Sequence, residues 1–74
     1  MRIYNFVKPE LDYFRENCNF SEDEMTFFNY RAQHYSHHEI AVKMICSQGK
    51  VARLATSVKA KIRRVKLPGT ENLE

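Results

Sequence analysis

The chain has 74 residues, five Phe, four Tyr, two Cys and a formal net charge of +3. A chain of this length forms one domain and buries only about 60% of its unfolded surface, so it has no room for a catalytic domain beside a binding domain. It contains no apolar run near the ~20 residues of a membrane span, and no secretory signal is visible. Cys18 and Cys46 are expected to be reduced cysteines that act as small apolar side chains in a cytoplasmic protein.

The N-terminal part of the chain predicts an arm followed by a first helix. Residues 1–8 form a short segment rich in apolar residues, which is expected to lie extended against the helices through side chains such as Ile3 and Phe6. A basic arm that reaches DNA is the alternative. Pro9 suits the first position of a helix, while Lys8 before it should be extended. The first helix is therefore predicted over 9–18, at the start of a domain that covers 9–66.

A second helix is predicted over 22–34. Ser21 and Glu24 have the spacing of a capping box, in which each side chain bonds the backbone N–H of the other residue. Met25, Phe28 and Ala32 mark the inner stripe of this helix, and Phe27 lies close to that stripe.

Two further helices are predicted over 37–45 and 48–66. Ser36 and Glu39 form another capping box, and Ser47 caps the last helix. Apolar residues recur at three- and four-residue steps along that helix: Val51, Leu54, Ala55, Val58, Ile62 and Val65. Two capped helices joined by so few residues are typical of a helix-turn-helix. The predicted fold is therefore a small all-α bundle of about four helices with a flexible tail, 67–74.

The charges are divided unevenly between the two halves of the chain. Residues 1–39 carry four basic and seven acidic side chains, whereas residues 40–74 carry eight basic and two acidic ones, net charges of −3 and +6. Between Ile40 and Thr70 no acid occurs. A basic run is usually a solvated face, but this one coincides with the helix-turn-helix pattern and favours binding to double-stranded DNA.

Angular spacing at 100° per residue predicts which residues of the last helix face outward. The outward residues are mostly small, which would let the helix lie deep in a major groove. Arg53 is the candidate for a bidentate contact to guanine and Gln48 for one to adenine, although Gln48 could equally be an exposed residue without a role. The predicted base contacts are Gln48, Gly49, Ala52, Arg53 and Thr56. The predicted phosphate contacts are His37, His38, Lys43, Lys50, Lys59, Lys61, Arg63 and Arg64.

The three histidines surround a predicted helix junction. A zinc site needs three or four suitable ligands, and Cys46 is the nearby thiol, so no metal is expected. His37 and His38 lie in the first turn of a helix, where a phosphate contact and a solvated side chain are equal alternatives. No nucleophile, paired carboxylates or phosphate-binding Gly loop is visible, so the sequence predicts neither an enzyme nor a cofactor.

From Phe20 to about Val65 the chain resembles the helix-turn-helix of LuxR-type regulators and region four of sigma factors. The matching residues are Phe20-Ser21 with Glu24, Tyr35-Ser36 with Glu39-Ile40-Ala41, and Ser47 with Val51, Leu54, Val58 and Ile62. In these families the second helix of the motif enters the major groove. The resemblance therefore implies base contacts at Gln48, Gly49, Ala52 and Arg53.

The chain departs from these families at two turns and at its end. His34 and Ile45 occupy places where the families often have a left-handed Gly. Because a β-branched residue at positive φ is strained, the turn at Ile45 is expected to be wrapped differently. The final dimerisation helix of LuxR-type domains is missing, which leaves the 9–18 helix as the candidate for a homodimer contact.

These patterns together predict a free-standing cytoplasmic regulator of transcription from a bacterium or a phage, bound to double-stranded DNA and to no membrane. The rival interpretation is a protein-interaction module that contacts RNA polymerase or another regulator. Its docking surface would be the apolar first eighteen residues.

Overall fold

The computed structural model describes residues 3–65 and contains four α-helices in that range. They are α1 (Lys8–Asn17), α2 (Glu22–Ala32), α3 (His37–Met44) and α4 (Gln48–Arg64), preceded by a single 3-10 turn, Ile3–Asn5. No strand occurs within these residues. The predicted all-α bundle is therefore confirmed, and the helix ends differ from the predictions by one or two residues. Lys8, expected to be extended, is the first residue of α1, and the predicted tail 67–74 lies outside the described residues.

Side-chain caps begin three of the helices as the sequence predicts. Ser21 Oγ accepts from the Glu24 N–H at 3.2 Å, and the Glu24 carboxylate accepts from the Ser21 N–H at 2.8 Å. Ser36 and Glu39 repeat this exchange at 3.1 and 2.9 Å. Ser47 Oγ accepts from the Lys50 N–H at 3.1 Å. Each bond satisfies a backbone donor that the helix itself cannot pair.

The N-terminal segment packs onto the helices through aromatic rings. Phe14 of α1 is 1% exposed and meets Phe28 of α2 edge to face, with ring centroids 6.4 Å apart. Phe6 lies 5.0 Å from Phe14, and Ile3 is fully buried, in the 3-10 turn rather than in an extended arm. The apolar residues proposed as a docking surface are therefore largely part of the protein's own core, with the exception of Val7, which is exposed.

The core faces of α2 and α4 complete the interior. Four residues of the predicted α4 stripe are buried: Val51, Ala55, Val58 and Ile62. On α2 the predicted stripe is correct at Phe28, which is fully buried, and at Ala32, which packs against the core. It is wrong at Met25, which is partly exposed, because Phe27 takes the buried place beside Phe28. Glu24 is buried on the same side of α2 as Phe27 and Phe28, since these positions share one helix face.

Both turns before the last two helices use a left-handed residue. His34 has φ 72° and Ile45 has φ 53°, so the expectation of a differently wrapped turn at Ile45 was wrong. The Cys46 N–H donates to the Ala41 carbonyl at 3.0 Å and the Ile45 N–H to the Val42 carbonyl at 3.2 Å. This pair of bonds is a Schellman motif, which satisfies the last carbonyls of α3 and offsets the strain of a β-branched residue.

Candidate nucleic-acid interface

The side of α4 opposite the buried stripe forms an exposed surface without acids. We call it the outer face and define it by residues that are all exposed: Gly49, Ala52, Arg53, Thr56, Arg63 and Arg64. Gln48 is exposed at the start of the same helix. The structure therefore brings the five predicted base-contacting residues together on one surface. At 1.5 Å per residue, the outer face extends roughly 22 Å along the helix.

Four basic side chains of α4 form no ion pair with any residue between positions 3 and 65: Arg53, Lys59, Arg63 and Arg64. Three of them belong to the outer face, and Lys59 is half-buried beside it. Guanidinium and ammonium groups without an internal partner remain available to an external anion, and Arg can bind an acceptor pair with two parallel hydrogen bonds.

One flank of the outer face is neutralised by the acidic first turn of α2. The Lys50 ammonium lies 3.0 Å from the Asp23 carboxylate, and both side chains are about half exposed. An exposed pair of this kind is weak and exchanges readily, so Lys50 remains available for a phosphate contact at a small cost.

Lys61, a predicted phosphate contact, forms an ion pair within the fold. Its ammonium lies 2.5 Å from the Glu24 carboxylate and donates to the Asn19 carbonyl at 2.7 Å, and its side chain is only 28% exposed. The Ser57 hydroxyl donates to the other carboxylate oxygen of Glu24. Because its charge already joins α4 to α2 within the fold, we expect Lys61 to contribute less to phosphate binding than the sequence predicts.

The environment of Glu24 keeps this carboxylate ionised. Burial alone raises the pKa of Glu24, but hydrogen bonds from Lys61, from the Ser21 backbone and from Ser57 outweigh burial and lower the pKa to about 2. A carboxylate with three donors and a cation is strongly stabilised in its charged form. The cluster thus fixes the rotation of α4 about its axis and with it the direction of the outer face.

The two histidines at the start of α3 have different surroundings. The His37 ring packs edge to face on buried Phe27, with centroids 5.8 Å apart. Burial, followed by the charges of Arg31 and Lys59, lowers the pKa of His37 and favours the neutral ring. His37 is therefore not the solvated side chain considered from the sequence, and a neutral ring makes it a weaker phosphate ligand.

His38, by contrast, is exposed and contacts the first residue of α4. The Gln48 side-chain nitrogen Nε2 lies 2.9 Å from His38 Nδ1. The sequence provides no signal for this contact, since the residues are ten positions apart and meet only because the turn brings the two helix starts together. The last predicted phosphate contact, Lys43, is exposed, and its ammonium lies 5.0 Å from the centroid of the Tyr35 ring.

An apolar patch that was not predicted from the sequence adjoins the His38–Gln48 pair. Val42 is 63% exposed and Ile45 is 92% exposed. Together with Ala41 and Cys46 they line an open groove of about 580 Å³, which His38 and Gln48 also border. The three-four periodicity of α3 could have indicated Val42 as outward-facing, because it falls outside the stripe formed by Ile40, Ala41 and Met44.

Comparisons with known proteins give no relative: no family model, curated protein or solved structure matches the chain.

The part of the chain between residues 3 and 65 holds no group of three or more potential metal ligands among its His, Cys, Asp and Glu side chains. Over the same residues, each helix is too short or too polar to traverse a lipid bilayer.

Proposed function

We propose that the chain is a small cytoplasmic regulator of transcription that binds double-stranded DNA through α4, with α3 and α4 acting as a helix-turn-helix. The observation that carries this proposal is the exposed, acid-free outer face of α4 opposite a fully buried stripe. An exposed basic helix face of this kind can contact both the phosphates and the base edges of DNA. No catalytic role, metal or cofactor is part of this proposal.

The shape of the outer face supports insertion into a major groove. Its N-terminal half carries Gly49, Ala52 and Thr56 around the longer Arg53 side chain. Small side chains allow the helix axis to approach the base edges in a groove about 12 Å wide. Arg53 would then donate to guanine, while Arg63 and Arg64 at the other end would meet phosphates.

Binding of labelled duplex measured across a range of salt concentrations tests this proposal. The four cations of α4 that can contact phosphates are Lys50, Lys59, Arg63 and Arg64. They predict a slope of about −3 to −4 in log affinity against log salt, because each contact releases counterions. Arg53→Ala should reduce the preference for a selected site over scrambled duplex by about 1–3 kcal/mol. Lys8→Ala is the matched control, since it removes the same charge from α1, where Lys8 pairs with Asp12.

Two outcomes would refute the proposal. Affinity that is independent of salt would exclude phosphate contacts as the basis of binding. Equal weakening by Arg53→Ala and Lys8→Ala would show that net charge, and not the outer face, attracts the duplex.

A second candidate function is contact with another protein, for which RNA polymerase is the expected partner. The exposed Val42 and Ile45 favour this function, because large apolar side chains that remain in water often mark interaction sites. The apolar α1 residues Leu11 and Tyr13 pack against the core, so a homodimer through α1 would have to rely on polar contacts.

The two functions are separable by one variant. Replacing both Val42 and Ile45 with Ser should leave duplex binding unchanged if these residues serve only a protein partner. Retention of purified RNA polymerase by the immobilised chain should then be lost. Polymerase retained equally by both forms would exclude this patch as the contact.

A further inference from the structure

We propose that His38 is a positioning residue that holds the Gln48 amide in the orientation required to read adenine, so that the site includes an A·T pair opposite the start of α4. This inference rests on the DNA-binding function proposed above. It goes beyond that function because it gives His38 a role other than a phosphate contact and derives the adenine preference of Gln48 from the contact between the two side chains.

The geometry of the pair determines what the Gln48 amide can offer. Its Nε2 faces His38 Nδ1 at 2.9 Å, and an amide nitrogen only donates. In this arrangement the ring nitrogen is the acceptor, which is the role of Nδ1 in the tautomer that carries its proton on Nε2. One Gln48 N–H donates to the ring, so the second N–H and the Oε1 carbonyl remain available to pair with a base.

The two remaining groups match the major-groove edge of adenine. Adenine presents the N7 acceptor and the N6 amino donor side by side, and an amide that donates to N7 and accepts from N6 pairs with both. The edge of guanine presents two acceptors, N7 and O6, so the Oε1 carbonyl would face another acceptor there. The Gln48 amide is thus complementary to adenine and mismatched to guanine.

The place of Gln48 in the fold supports the same assignment. It is the first residue of α4 and is exposed, and the N-terminal residues of a recognition helix are those that reach base edges. An unsupported Gln side chain at such a position would lose rotational freedom on binding, at a cost in affinity. The hydrogen bond from Gln48 to His38 reduces that loss by restricting the side chain before DNA arrives.

The test begins with selection of bound sequences by the full wild-type chain from a random duplex pool. Affinity is then measured for duplexes carrying each of the four base pairs at every position of the selected site. Four variants follow: Gln48→Ala, His38→Ala, His38→Asn and the double Ala variant. Both residues are exposed, so the variants should retain the wild-type circular dichroism spectrum.

The expected result is an A·T preference at one position that Gln48→Ala reduces on the order of 5- to 150-fold, with other positions unchanged. His38→Ala should reduce the same preference roughly 2- to 10-fold. His38→Asn should restore it, because Asn Oδ1 is the same number of bonds from the backbone as His Nδ1. In the Gln48→Ala background, His38→Ala should have no further effect on discrimination.

Three results would overturn the inference. The first is a Gln48→Ala variant that keeps every base preference intact, and the second is an affected position that prefers a base pair other than A·T. The third is a His38→Ala variant that weakens all duplexes equally and independently of Gln48, as loss of a phosphate contact would. A wild-type chain that binds no duplex at all would overturn the proposed function as well, which distinguishes the two failures.

Discussion

Replacement of Glu24 by Gln should remove the pH dependence of stability that the α2–α4 cluster creates. The pKa of Glu24 in the folded protein is about 2, compared with an ordinary value of 4.5. At roughly 1.4 kcal/mol for each pKa unit, the ionised carboxylate stabilises the fold by about 3 kcal/mol. Because the folded pKa is the lower one, this contribution is complete above pH 4.5 and disappears as the pH falls towards 2.

The Glu24→Gln variant keeps the size of the side chain and its capping-box acceptor but lacks the charge that pairs with Lys61. The variant should therefore be about 3 kcal/mol less stable than wild type at pH 7 and should approach the wild-type stability near pH 2. Urea unfolding, followed by far-ultraviolet circular dichroism across this pH range, gives both free energies of unfolding.

Glu22→Gln is the matched control for Glu24→Gln. Glu22 occupies the same first turn of α2 and is exposed, so its loss should change the stability by less than about 0.5 kcal/mol. If wild type and Glu24→Gln differed by the same amount at every pH, the charge of Glu24 would not be the source of the stabilisation.

Four further substitutions, one of them with a control, test other parts of the structure. Lys61→Met should destabilise the fold by about 3 kcal/mol while leaving the salt dependence of duplex binding intact. Arg63→Ala should instead leave the stability intact and reduce the salt slope by about one. Urea unfolding and duplex titration of both variants measure these effects, and the opposite pattern would contradict the two assignments. Ile45→Gly should stabilise the protein by about 1 kcal/mol in thermal unfolding, since it relieves the positive φ of an exposed residue. His34→Gly is its control and should gain less, because the His34 ring stacks on Tyr4 at 4.5 Å. Ser47→Ala should cost about 1 kcal/mol by leaving the first turn of α4 without its cap, and an unchanged melting temperature would contradict that role.

The helices and their caps were predictable because they depend on residues close together in the chain. The Ser21–Glu24 and Ser36–Glu39 boxes require spacings of three residues, and the buried stripe of α4 follows from a period of 3.6. The outer face could be predicted for the same reason, since it is the complement of that stripe. The left-handed turn at Ile45 was mispredicted because local strain was weighed without the two end-capping hydrogen bonds that offset it.

The sequence by itself determined the helix count, the apolar and outer faces of α4 and the separation of charge between the two halves. These features follow from local spacing and composition, which do not depend on how the helices cross. Only the tertiary structure decided which cations are available, because an ammonium group finds its partner through space. Lys61 is drawn to Glu24 from 37 positions away, and Gln48 meets His38 across a turn, whereas Arg53 has no internal ion-pair partner among residues 3–65.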